Sequence, residues 1–417
     1  MPSLDQIRQA RERIRGEVIQ TPCPRTFLFE NLVPGKLHFK FENLHRTGSF
    51  KERGALNRLL ALSGEERTRG VVTASAGNHA QAVAYHAHRL GIPATVLMPE
   101  TTPLVKVSNT RRYGAEVILH GQRFSQAIEE SRRLERERNL VMVHAFDDEQ
   151  IVEGQGTIGL EIAEQVPDVD LVVVPVGGGG LISGIAVAIK ALIPDVRVVG
   201  VEVEAAPSAR RSLDEGRITA VETGETLADG IAVKSPGEVT FPLLQQYVDD
   251  IVLVGEEEVA RAILLLLERE KSLVEGAGAA GLAALLAGRI PVSRNESVVA
   301  LLCGGNIDLN ILSRIIDRGM VDDGRMARFV VTVRDRPGSL ARLTRLVADQ
   351  GANVLEIAHQ RAFADISVGD VEIGMHLETR GRDHVEEIIR LLREDGTRVR
   401  EAVLPSRAVT NRRPRGV

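Results

Sequence analysis

The sequence has no tryptophan, three tyrosines and ten phenylalanines, so aromatic residues make up only 3% of its 417 positions. That shortage excludes a protein that stacks single-stranded nucleic acid on aromatic platforms. Charge excludes it too: 52 Lys and Arg stand against 57 Asp and Glu, a formal net charge of −5 that leaves no basic groove. Two cysteines, Cys23 and Cys303, are too few for a disulfide framework, and no CxxC or Cys/His cluster suggests zinc. A membrane-spanning run is also lacking. Leu171 to Ile189 is free of charge, but Pro175 and four consecutive glycines at 177–180 interrupt it, a break that a lipid-facing helix does not tolerate alone. The opening MPSLDQIRQARERIR is charged and helix-like, without an apolar h-region, so we expect no signal peptide and a cytoplasmic protein without membrane contacts.

What is present is enough apolar matter for large cores, 43% of the residues, and a length that at about 150 residues per domain predicts two to three domains. Short apolar runs alternate with longer helical stretches from residue 71: VVTA (71–74), ATVLM (94–98), EVIL (116–119) and LVMVHAF (140–146). A second series follows Gly154, with strands at 170–176, 197–203, 250–254 and 297–303, and helices at 181–192, 256–269 and 277–287. Strands alternating with helices imply crossover connections and parallel sheets. The strands are nearly continuous in Val, Ile and Leu, as expected where both faces are covered. After the polar connector VDDGRMA (321–327) the order becomes β-α-β-β-α-β, a ferredoxin-like arrangement ending in VREAV (399–403). The Arg-rich tail 404–417 reads as a solvated end.

Chemistry concentrates in four motifs. NLHRTGSFKERGA (43–55) offers a lysine flanked by small residues, and SAGNHAQ (75–81) follows a strand and opens a helix, where free backbone N–H groups gather. GGGG (177–180) joins a second strand to a helix, and CGGN (303–306) ends a further strand. Successive glycines let N–H groups crowd around a phosphate, and the helix dipole favours its charge. A phosphate cradle, an anion pocket and an amine nucleophile at carboxyl ends of strands make one cofactor site. A nicotinamide dinucleotide is the competing reading. Gly178, Gly180 and Gly184 with Glu202 partly match its fingerprint, but that reading leaves SFKERGA and SAGNHAQ unexplained.

These motifs, in this order, resemble the pyridoxal-phosphate enzymes of the tryptophan-synthase-β fold (fold type II), and within it the threonine dehydratases, also called threonine ammonia-lyases. The resemblance covers about 5–320, and residues 328–403 resemble an ACT domain, a module that commonly binds amino-acid effectors. It implies a large cofactor domain from 1–46 and 151–320, a small α/β domain from 47–150, and a regulatory domain at 328–403. Lys51 would carry pyridoxal 5'-phosphate covalently and act as base, with Phe50 against the cofactor ring and Asn78 on its phenolic oxygen. The backbone of Gly177, Gly178, Gly179, Gly180 and Leu181 would hold the phosphate, and Cys303 would stand opposite the pyridine nitrogen. Cys303 as a nucleophile competes, but no His partner is indicated. The substrate carboxylate would lie on Ser75, Ala76, Gly77, Asn78 and His79; His79 as a second base is the rival to a pocket-shaping role.

Racemase-type relatives carry Ser at the position of Ala76, and they bind a mono- or divalent cation. Glu202 matches one ligand of that cation and the Ala206 carbonyl a second, although Ser208 stands where those relatives have Asp. Glu275 is read either as polar lining of the cofactor pocket or as a helix-start acid. In the ACT-like part, Gly338, Ser339, Leu340 and Asn353 match the effector turn, whose plainer role is dimerisation. The resemblance therefore implies a homo-oligomeric threonine ammonia-lyase, dimer or tetramer, also accepting L-serine, under amino-acid effector control. A serine racemase/dehydratase and a non-catalytic amino-acid sensor are the alternatives.

Overall fold

A computed structural model describes residues 1–361 and 366–403; the expectation for the tail 404–417 lies outside them. The chain divides into two units, Met1–Asp308 and Leu309–Val417. The first holds two parallel sheets. Strand β1 (Lys36–Lys40) opens one of them; β2 (Val71–Ala74), β3 (Ala94–Met98), β4 (Glu116–Leu119) and β5 (Val141–Met142) make the other, in the order β4-β3-β2-β5. Then β6 (Leu171–Pro175), β7 (Arg197–Val203), β8 (Asp250–Val254) and β9 (Ser297–Leu301) complete the first, in the order β1-β9-β6-β7-β8. Every residue of β6 and of β9 is buried, which accounts for their unbroken apolar sequence.

Local signals set several elements. Helix Leu4–Ile14 begins with a capping box between Ser3 and Gln6, and buries Ile7, Ala10 and Ile14 at helical spacing. The strand expected over 140–146 is only Val141–Met142 long. Its continuation leaves the ladder because Ala145 and Phe146 are used at the site described below. Neither β1 nor helix Glu149–Gln165, which carries three glycines, was anticipated. In the fold these glycines admit neighbouring backbones. A Cβ on Gly154 would sit 2.6 Å from the Gly54 Cα and 2.7 Å from the Arg53 carbonyl, so helix Lys51–Leu60 lies flush against helix Glu149–Gln165.

The second unit starts with helix Leu309–Asp322 and continues as β10 (Met326–Arg334), β11 (Asn353–Gln360), β12 (Asp370–Glu378) and β13 (Arg398–Val403). These strands form an antiparallel sheet ordered β11-β12-β10-β13, the expected ferredoxin-like arrangement. Its core includes Phe329, Val331, Ile373 and Met375 from the sheet, with Val347, Val385 and Ile388 from helices Ser339–Asp349 and Arg382–Glu394. Among the described residues, no helix is long and apolar enough to cross a membrane.

Candidate active site

Lys51 begins its helix directly after a turn that is stitched to the far end of the first unit. The Phe50 N–H donates to the Cys303 carbonyl (3.1 Å), Gly305 N–H to the Gly48 carbonyl (2.9 Å), and Asn306 Nδ2 to the Thr47 carbonyl (2.7 Å). Lys51 Nζ donates to the Ala145 carbonyl at 2.7 Å and lies 5.0 Å from the centre of the Phe50 ring. Burial pulls its ammonium down to about 8, against smaller opposing effects of Cys303 and Glu275. The result is an amine of which a sizeable minority is neutral near physiological pH.

Behind the lysine, Arg53 anchors the same helix. It is buried, and its guanidinium forks onto both Glu42 oxygens (2.7 and 2.8 Å) and both Glu161 oxygens (2.6 and 2.9 Å). Burial alone would raise the Glu42 carboxyl; the Arg53 charge, then His45, hold it well below the usual range. Lys40 joins this network through Glu161, Gln165 and the Thr21 carbonyl.

Asn78 is held at both ends of its amide. Its Oδ1 accepts from Asn306 Nδ2 at 2.7 Å, and its Nδ2 donates to Glu275 Oε1 at 2.7 Å, leaving one amide hydrogen for a ligand. Glu275 precedes helix Gly276–Leu286 but makes no side-chain cap bond there; its carboxylate is turned to Asn78 instead. Burial raises its carboxyl to about 7; Asp229, itself paired with Lys106 at 2.8 Å, adds to the rise against the Asn78 hydrogen bond. Gly304 makes room for the pair, since a Cβ there would come within 2.8 Å of the Glu275 carboxyl carbon. Cys303 is buried, and its thiol is pushed far up by burial and then by Glu275. It is a neutral thiol, not a nucleophile.

The glycine run opens helix Gly180–Leu192, where Gly179 has φ +94° and supplies no capping side chain. Residues 178 and 180 have no room for one. A Cβ on Gly178 would overlap the Phe146 ring, and one on Gly180 would lie 2.8 Å from the Phe146 carbonyl. Thr240 Oγ1 braces the loop by donating to the Gly178 carbonyl at 2.6 Å. Phe146, Thr240 and the carbonyl of Ala145 were missed from the sequence; nothing in their spacing marks them.

The turn 75–79 departs in part from expectation. The Ser75 N–H belongs to the sheet, donating to the Leu97 carbonyl (3.1 Å), while Ser75 Oγ accepts from Gly77 and Ala80 N–H (both 3.3 Å). Ser75 therefore shapes the turn, and helix Asn78–Arg89 starts at Gly77 with no side-chain cap of its own. His79 is buried and its Nε2–H donates to the Val143 carbonyl at 3.1 Å. Burial, then Lys51, push its imidazolium down to about 3, so the ring is neutral near neutral pH and a weak base, which favours the pocket-shaping role.

The two groups matched to a cation site each have a partner within the protein. Glu202 is buried and accepts from the N–H groups of Ala209 and Arg210, both at 2.8 Å. The Ala206 carbonyl accepts from Ser208 N–H at 3.0 Å. Both groups are engaged in starting helix Ser208–Glu215. No cluster of three His, Cys, Asp or Glu side chains that could hold a metal occurs among the described residues. In the second unit, Gly338, Ser339 and Leu340 line one cavity. Asn353 is not among its lining residues; its Nδ2 donates to Glu378 Oε2 at 3.3 Å.

A buried amine, an oriented amide, a neutral thiol and a glycine-walled loop at a helix start define a site for a phosphorylated aldehyde cofactor. Residues 14–304 match the family model described as "Pyridoxal-phosphate dependent enzyme", and 327–396 match the ACT domain. The chain belongs to the pyridoxal-phosphate-dependent enzyme family and carries a C-terminal ACT domain. It is 49% identical over 400 residues to an "L-threonine ammonia-lyase" of Thermotoga maritima, covering 96% of this chain and 99% of that protein. Among solved structures, a threonine deaminase from Solanum lycopersicum is 35% identical with a TM-score of 0.71, covering 76% of this chain and 95% of its own. Maize serine racemase is 36% identical with a TM-score of 0.72, covering 76% and 98%. Pyridoxal phosphate fits the residues present: the donor set is right for it, and the loop has no room for side chains.

Proposed function

We propose that the chain is a threonine ammonia-lyase, converting L-threonine to 2-oxobutanoate and ammonia, and L-serine to pyruvate. The observation that carries this reading is the Lys51 amine, held near neutrality beside Asn78–Glu275 in a chain so similar throughout to named ammonia-lyases. Bound pyridoxal phosphate would supply an electron sink for the substrate α-carbon. Lys51 would hold the cofactor at rest and, when its amine is free, would take the α-proton. Asn78, fixed by Glu275 and Asn306, would hold the phenolic oxygen, and residues 177–181 would hold the phosphate. Cys303 would stand opposite the pyridine nitrogen without protonating it, because its thiol stays neutral. Ala76 to His79 receive the substrate carboxylate on backbone N–H groups. The β-hydroxyl leaves as hydroxide and the resulting enamine hydrolyses to the 2-oxo acid.

The serine racemase reading is disfavoured at Ala76, which has no hydroxyl to reprotonate the opposite face. The turn at Gly338–Leu340 is the effector site. A cytoplasmic homo-oligomer with no nucleic-acid partner completes the proposal. The test is 2-oxobutanoate release by wild type and Lys51→Ala, with borohydride labelling of the lysine. Wild type should turn over and be labelled at position 51; the variant should do neither. A Lys51→Ala protein with full turnover overturns the mechanism, and a labelled wild type that releases no 2-oxo acid favours the sensor.

A further inference from the structure

The effector turn forms one wall of a cavity of about 320 Å³ in the second unit. Its floor is apolar, with Val371 and Ile373 buried. Arg334, Arg336 and Arg361 line its walls, together with His359. One carboxylate among the described residues lines it, that of Asp335, and Arg361 already holds both of its oxygens, at 2.7 and 3.2 Å. Arg334 reaches out to Asp370 through a single nitrogen at 3.3 Å, so most of its donors stay available.

A zwitterionic amino acid presents a carboxylate and an ammonium in equal measure. Here the carboxylate meets arginines suited to it. The ammonium meets the same arginines, and the charge of the one lining carboxylate is already neutralised by Arg361. We infer that this cavity takes a small organic anion of net negative charge, bearing carboxylate or phosphate groups, in preference to a zwitterion with an aliphatic side chain. The inference rests on the reading of this turn as the effector site and adds the class of ligand.

The experiment is calorimetric titration of the cofactor-loaded full chain with four probes: isoleucine, aspartate, succinate and glycerol 3-phosphate. At least one anion should bind about tenfold or more tightly than isoleucine, and weaken as salt is added. Which anion wins separates acidic amino acid, dicarboxylate and phosphate sources. Arg336→Gln should weaken it about tenfold, the typical effect of one charge-assisted contact. Asp335→Asn, which releases Arg361, should tighten it, a gain that misfolding cannot imitate. Isoleucine binding best, and losing that binding in Asp335→Asn, would show Asp335 receiving an ammonium; the anion inference then fails while the effector site stands. No binding by any probe overturns both.

Discussion

An exposed lysine, with a pKa near 10.5, is neutral to roughly one part in a thousand at about pH 7.5. At about 8, where burial holds Lys51, roughly a quarter of the amine is neutral at that pH. Only the neutral amine attacks an aldehyde. The cofactor-free chain should therefore couple to pyridoxal phosphate about 200-fold faster than an exposed lysine does, before orientation adds to it. Stopped-flow absorbance of the lysine-bound cofactor, followed from about pH 6 to about pH 10, measures this directly. The rate should rise about tenfold per unit and level off near 8. A second signature follows from the same depression. Between about 8 and 10.5 the folded chain binds fewer protons at Lys51 than the unfolded chain. Its contribution to stability therefore rises with pH across that window and is lowest below it, and Lys51→Met removes this slope. A coupling rate that climbs unbroken to pH 10 or so would refute the reasoning, for the amine would then be an ordinary one.

Arg53→Met takes the shared guanidinium from two buried carboxylates, leaving Glu161 with Lys40 and Glu42 with His45, and should cost about 3 kcal/mol of unfolding free energy, read by urea titration; Arg53→Lys, charged but unable to fork, should fall between. Gly178→Ala drives a methyl into the Phe146 ring and should weaken pyridoxal phosphate binding about tenfold or more in equilibrium dialysis, given overpacking costs of about 1–3 kcal/mol. Ala76→Ser should raise racemisation of serine, measured by chiral chromatography; an unchanged rate counts against the assigned role of that position.

Much of this arrangement was legible in the sequence because it is local. The buried strands announce themselves as Val/Ile/Leu runs, and Lys51, Asn78 and the glycine run sit in contiguous motifs at strand ends. The rest depends on partners far along the chain. Strand β1 alternates lysines with apolar residues and looks half exposed, yet Lys40 is fully buried because Glu161 and Gln165, more than a hundred residues on, complete its hydrogen bonds. The glycines of helix Glu149–Gln165 look like breakers until Gly54 is seen against Gly154, Gly184 against Gly156 and Ile185 against Gly159. Glu275 reaches Asn78 across 197 residues, and no spacing rule finds that. Glu202 and Asn353 also have partners that no motif announces: Glu202 accepts from two N–H groups of the helix that follows, and Asn353 donates to Glu378 on the neighbouring strand.

Among the described residues, the lone sheet partner of β1 is β9, Lys36 pairing with Ser297 and Lys40 with Leu301. During synthesis at about 5–20 residues per second, the earliest strand of this sheet waits roughly 10–50 s for the latest one to emerge. Until then its side facing β9 is unpaired, and the turn before Lys51 lacks the Cys303–Asn306 segment that fastens it. A nascent or truncated chain ending before residue 303 lacks that fastening, so it should seat pyridoxal phosphate more weakly than the whole first unit does.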